Sequence, residues 1–283
     1  MKKKIALFIA LGLTVAMTAC GTAAEQPAEN QDDAQETTEE TTDETTDETS
    51  DETADETTDE TTDETTDDAD AESGAVMTYA EYVAADFETE VTIETYVQAK
   101  QSWWDNKATV YTQDEDGAYF LYNMACSEED YEKLTVGTKI KVTGYKSEWS
   151  GEIEIVDATF EIEDGNFVAT PFDITDKLAA DDLVDYQNLF VSFTDMTVEA
   201  ANDDGDAFMY SWDGSGSDGD DLYFNVSKDG QTYTFTVESY LTGAGTDVYE
   251  AVKALNVGDT VDMEGFLYWY EGVNPHITAV TVK

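Results

Sequence analysis

LTVGTKIKVTGYKSEWSGEIEIVDAT, residues 134–159, lies on LNVGDTVDMEGFLYWYEGVNPHITAV, residues 255–280, without a gap when the chain is shifted by 121 positions. Leu134 falls on Leu255, Val136 on Val257, Gly137 on Gly258, Gly144 on Gly265, Gly151 on Gly272 and Ala158 on Ala279. The pairs Ile140/Val261, Val142/Met263, Tyr145/Phe266 and Val156/Ile277 stay apolar. Self-similarity at a fixed spacing means one structural unit used twice. Three glycines in register predict shared turns, because glycine adopts backbone angles closed to other residues.

Each copy reads outward from that stretch in the same way. Residues 127–134 open with Ser127 as a helix N-cap followed by acidic residues, and residues 247–255 are the counterpart. Residues 139–143 alternate apolar and polar, as a half-buried strand does, and a turn at 149–151 leads to a second alternating strand. Ile153 and Ile155 share one parity whereas Ala158, Phe160 and Ile162 share the other, which predicts a bulge near Val156 and Asp157. Upstream, residues 91–97, 108–112 and 118–124 read as strands, the last two joined by a hairpin turn at 114–117. Copy two begins its first strand at 189–193 and carries extra residues around 213–230. Residues 78–81 and 175–178 read as short helices closing the bottom of a barrel. This β-β-β-α-β-β order resembles the OB-fold, by element order rather than by a sequence motif. The resemblance implies a mainly β protein with two tandem five-stranded OB-like barrels, residues 76–166 and 167–283, joined near Pro171. A generic β-sandwich is the alternative.

The N-terminus sets the compartment. Lys2, Lys3 and Lys4 precede an apolar run from Ile5 to Met17, too short for a mature membrane span and typical of an export signal. Met17, Thr18, Ala19 and Cys20 resemble a bacterial lipoprotein lipobox. That resemblance implies cleavage of residues 1–19 and lipidation of Cys20. Each buried acyl CH₂ contributes ~0.8 kcal/mol, so several chains anchor the protein firmly at the extracytoplasmic face of the membrane. Ordinary signal cleavage near Ala24 is the alternative. Residues 20–75 form a linker whose core, residues 37–68, repeats Thr-Thr-Asp-Glu with no apolar side chain larger than alanine. Such a segment cannot offset its ordering entropy by burial and reads as a disordered, charge-stretched stalk. The whole chain has a formal net charge of −52, with 65 acidic residues against 13 lysines and no arginine. Cys126 is the one other cysteine, so neither an intramolecular disulfide nor a zinc-binding CxxC pair is available.

The OB resemblance implies a ligand face between the loops joining strands 1 to 2 and strands 4 to 5. Trp103 and Trp104 fall in the first loop and Trp149 in the second, so the three are expected to converge. In copy two, Trp269 and Tyr270, beside Tyr268, hold the equivalent 4–5 position, and Trp212 lies near an early connection. An indole stacks on a base or on the apolar face of a sugar; the alternative is that these rings lid the cores. Phosphate binding needs clustered Lys and Arg, so the charge argues against nucleic acid, with Lys100, Lys107 and Lys146 as the one local patch. An extracellular glycan or protein is the preferred partner, and the acidic field favours a cationic one. No cofactor is expected except a weak case for calcium. Asp213, Ser215, Asp218, Asp220 and Asp221 offer oxygen ligands in a glycine-rich loop, but without the EF-hand glycine or terminal glutamate. His276 aligns with Ile155 on a strand and no nucleophile motif accompanies it, so the reading is non-catalytic. A nucleic-acid-binding OB-fold protein, a purely structural surface module, and a surface hydrolase acting through paired carboxylates are the alternatives.

Overall fold

A computed structural model describes residues 74–283. The lipobox, Cys20 and the acidic repeat lie outside the described residues. A short helix, α1 (Tyr79–Ala84), opens on Thr78, whose hydroxyl accepts from the Glu81 backbone while the Glu81 carboxylate reaches back, a capping box. Then follow β1 (Glu90–Lys100), β2 (Lys107–Gln113), β3 (Ala118–Ala125), α2 (Glu128–Lys133), β4 (Thr138–Trp149) and β5 (Glu152–Asn166). The strands close into a barrel in the order β1-β2-β3-β5-β4. β3 runs parallel to β5 and β1 antiparallel to β4, which is the OB arrangement.

The second barrel repeats the scheme with β6 (Phe172–Asp173), β7 (Phe190–Glu199), β8 (Met209–Tyr210), β9 (Leu222–Lys228), β10 (Gln231–Val237), α3 (Ser239–Thr242), α4 (Asp247–Lys253), β11 (Thr260–Phe266) and β12 (His276–Val282). Pairing of β7 with β9 closes β7-β11-β12-β10-β9 into a ring, with β6 and β8 as two-residue additions. The parallel pair β10–β12 corresponds to β3–β5. Leu134 and Leu255 both enter their barrel cores, as their shared position in the repeat requires. Residues 175–177 and 183–186 are 3₁₀ turns on the approach to β7.

The repeat's glycines divide by role. Gly137 and Gly258 sit at φ +90° and +94°, in turns. Gly144 and Gly265 instead lie within β4 and β11, where a Cβ would meet the chain opposite. A Cβ on Gly265 would stand 2.2 Å from the His276 carbonyl oxygen. These two positions are close approaches of strands, not the turns expected from sequence. The bulge falls where the parity switch predicts it: pairing slips between Thr143 and Tyr145 of β4, and Asp157 has φ +49°. β4 runs on to Trp149, so the 4–5 connection is the two residues Ser150 and Gly151, both at positive φ as a tight hairpin demands.

Candidate ligand cleft beside the inter-barrel seam

The barrels meet along an aromatic seam. Tyr111 of β2 stacks on Phe266 of β11 with centroids 4.3 Å apart, and Phe120 packs edge-on to Tyr268. The Tyr111 hydroxyl lies 2.7 Å from His276 Nδ1. The start of β5 has its backbone satisfied from the other barrel. Ile153 N donates to the Gln187 side chain, whose amide donates to the Gly151 carbonyl, and Asn188 donates to the Ile153 carbonyl. Trp269 N donates to Glu152 Oε2 at 2.8 Å. Buried rings with their polar atoms paired hold the two barrels in one register.

Beside this seam opens a cleft of about 700 Å³ on barrel 2, bounded by Trp149 of barrel 1. Its rings are Trp149, Trp212, Tyr223, Tyr268 and Tyr270, and its acids are Asp221, Glu238 and Glu271. Trp149 is 53% exposed, Trp212 75% and Tyr270 46%. Large rings left in water at one place mark an interaction surface. Trp149, at the end of β4 rather than in the loop expected from sequence, and Tyr270, in the connection between β11 and β12, tilt against each other at 5.1 Å.

The polar floor is fixed by backbone donors. Asp221 Oδ1 accepts from Ser239 N and Glu238 Oε1 from Tyr240 N. Glu238 Oε2 is buried without a hydrogen-bond partner. Burial, with the neighbouring Asp221 charge, pushes the Glu238 carboxyl up to about 7. Burial pushes His276 down to about 3, so its ring is neutral at pH 7. Thr236 donates to Asn274 Oδ1 at 2.7 Å and orients that amide at the rim. Among the described residues no lysine lines the cleft, so they offer aromatic faces and hydrogen-bond acceptors there and no cation.

The residues singled out from sequence are distributed unevenly. Trp149 and Tyr270 line the cleft; Trp103, Trp104 and Trp269 do not. Trp103 Nε1 donates to the Cys126 carbonyl and ties the 1–2 loop to the end of β3. Trp104 stands 77% exposed in a turn whose backbone pairs with Lys107. Trp269 is half-buried and covers Gly151. The basic patch dissolves for a physical reason. A lysine drawn into a barrel must find acceptors. Lys146 donates to the carbonyls of Tyr82, Val83 and Ala85 and so terminates α1, while Lys100 donates to the Tyr131 carbonyl over that residue's ring.

In the glycine-rich loop the oxygen donors turn to separate partners. Asp213 accepts from Ser215 N, Asp220 from Ser217 N, Asp221 from Ser239 N, and Asp218 pairs with Lys253 at 2.7 Å. Among the described residues no group of three or more His, Cys, Asp or Glu is arranged to hold a metal ion. Asp221 belongs to the cleft instead. Sequence reasoning missed Tyr223, Glu238 and Asn274. The one available signal was Tyr223, which faces outward between the buried Leu222 and Phe224.

No family model matches the chain, and no curated protein matches it. Among solved structures it is similar to the Ifi202 HINa domain in complex with 20-base-pair double-stranded DNA, at 12% identity, TM-score 0.31, covering 70% of this chain and 96% of that one. It is similar to a murine DNA-binding protein bound with double-stranded DNA, at 11% identity, TM-score 0.32, covering 68% and 94%. It is also similar to a replication protein A heterotrimer bound to single-stranded DNA, at 11% identity, TM-score 0.28, covering 69% and 49%. These findings correct the expectation that charge sets nucleic acid aside. That expectation rested on the lack of clustered Lys and Arg, whereas part of single-strand binding comes from bases stacking on aromatic faces. Nucleic acid returns as a ligand class to be tested.

Proposed function

We propose that this protein is a non-catalytic binding module, lipid-anchored through Cys20 outside the cell, that takes a glycan in the cleft between Trp149, Trp212 and Tyr270. The observation that carries the reading is the grouping of these three exposed rings over a floor of hydrogen-bond acceptors. The apolar face of a pyranose stacks on an indole. Its hydroxyls are donors that suit Asp221, Glu238 and Glu271. A cleft of this size fits a few sugar units and lies within the usual range for small-ligand sites. The acidic stalk would carry the barrels away from the membrane toward such a polymer.

Single-stranded nucleic acid is the second reading, favoured by a separate observation: Trp104 is exposed beside the exposed Lys107, a ring and a cation in one turn. Binding of the full chain to soluble wall and host glycans and to DNA and RNA oligonucleotides, followed by calorimetry, separates the two. Glycan binding should weaken about tenfold in Trp149→Ala and in Trp212→Ala, the scale of one lost stacking ring, and stay unchanged in Trp104→Ala. Oligonucleotide binding that only Trp104→Ala removes would replace the first reading with the second.

A further inference from the structure

We propose that the glycan taken by this cleft carries an ammonium group, seated on Glu238 against the faces of the surrounding rings; this rests on the reading of the cleft as a glycan site. Glu238 is 8% exposed, and its two carboxylate oxygens are treated unequally. Oε1 takes the Tyr240 N–H; Oε2 takes nothing. A buried carboxylate oxygen without a partner is costly, and the cost is relieved by a donor, most strongly by a charged one. Asp221 stands close enough for its charge to act on Glu238, and the Gln101 side chain of barrel 1 approaches the carboxyl as a neutral hydrogen-bonding neighbour that leaves its charge uncompensated.

The described residues do not supply the missing positive charge. Among them no lysine lines the cleft. His276 is held neutral by burial, with the Tyr111 hydroxyl on its Nδ1. The complement must therefore arrive with the ligand. The rings favour the same chemistry, since indole and phenol faces attract cations at close range. A neutral acetamido group would offer one N–H and no charge, and leaves the Glu238–Asp221 repulsion in place.

The test is calorimetry on the full chain at pH 7 and low salt with three probes: a β-1,4 glucosamine tetrasaccharide, its fully N-acetylated counterpart, and methylammonium, which carries both the charge and N–H donors. The amino tetrasaccharide should bind about tenfold or more tightly than the acetylated one. Glu238→Gln should erase that preference, bringing the amino tetrasaccharide down to the affinity of the acetylated one. Trp212→Ala, at an exposed ring that folding does not depend on, should weaken all three probes and keeps the test decisive if Glu238→Gln misfolds. Equal affinities for the two tetrasaccharides would overturn the ammonium seat and leave the glycan reading standing. Binding of methylammonium alone, lost in Glu238→Gln, would overturn the glycan reading and support the seat. No binding of any probe would overturn both.

Discussion

Glu152 offers a sharp test of how the barrels are joined. It is fully buried on β5, with Oε2 accepting from Trp269 N and Oε1 without a donor. The Asn188 amide lies beside it, and Asn188 Oδ1 is also a buried acceptor with no donor. A proton on Glu152 gives this pair one. Burial pushes the carboxyl up to about 9, from an ordinary value near 4.5. The sign follows from linkage. Below pH 4.5 both folded and unfolded chains hold the proton, and the stability this site allows is fully present. Above 4.5 the unfolded chain ionises while the folded one does not, so stability drains away until pH 9. At ~1.36 kcal/mol per pH unit, the loss at pH 7 is on the order of 3 kcal/mol. Glu152→Gln keeps the shape, retains an acceptor for Trp269 N, supplies a permanent donor and cannot ionise. Urea unfolding of the full chain should show the variant close to the parent at pH 4.5 and more stable by on the order of 3 kcal/mol at pH 7. A difference that does not change between pH 4.5 and 8, or that favours the parent increasingly as pH rises, would refute the reasoning.

Two further outcomes are expected. Gly265→Ala drives a methyl group into the His276 carbonyl and should cost ~1–3 kcal/mol or more. Gly258→Ala meets no atom within 4 Å and bears only the strain of a positive φ. Thermal unfolding should rank Gly265→Ala as the more damaging, and the reverse order would discredit the close-approach reading. As pH rises toward 7, affinity for methylammonium should increase by up to about tenfold per pH unit and then level off, because Glu238 must shed its proton to hold a cation and its carboxyl sits at about 7. The groups around it are Asp221, Glu271, Gln101, His276 and the tyrosines 223, 268 and 270. His276 is already neutral, and burial raises the hydroxyls of Tyr223 and Tyr268, so neither these two nor His276 reverses the trend. Calorimetry between pH 5.5 and 8.5 reads this directly, and a flat profile contradicts it.

Much of the barrel scaffold was legible because strand side chains alternate with period two and the repeat shows which glycines and leucines matter twice. Leu134 and Leu255 enter equivalent cores, and the parity switch marks the bulge at Asp157. The glycines at 144 and 265 were misread as turns, because a missing Cβ in sequence does not say whether a turn or a neighbouring chain requires it. Loop aromatics were harder still. Trp103 and Trp104 are adjacent, yet one is tied to the Cys126 carbonyl and the other stands in water. Loop backbone has no periodicity from which side-chain direction can be read.

By itself, then, the amino-acid order determined two copies of one β unit, its short helices and the run of strands, since these follow from local alternation and capping. Tertiary structure alone decided the cleft. Trp149, Trp212, Glu238 and Tyr270 are drawn from two barrels and from distant points of the chain. Their meeting depends on the seam in which Tyr111 stacks on Phe266 and the Gln187 and Asn188 side chains pair with the start of β5. That seam is a contact between surfaces, set by shape and by buried polar groups finding partners, and no local pattern in the chain encodes it.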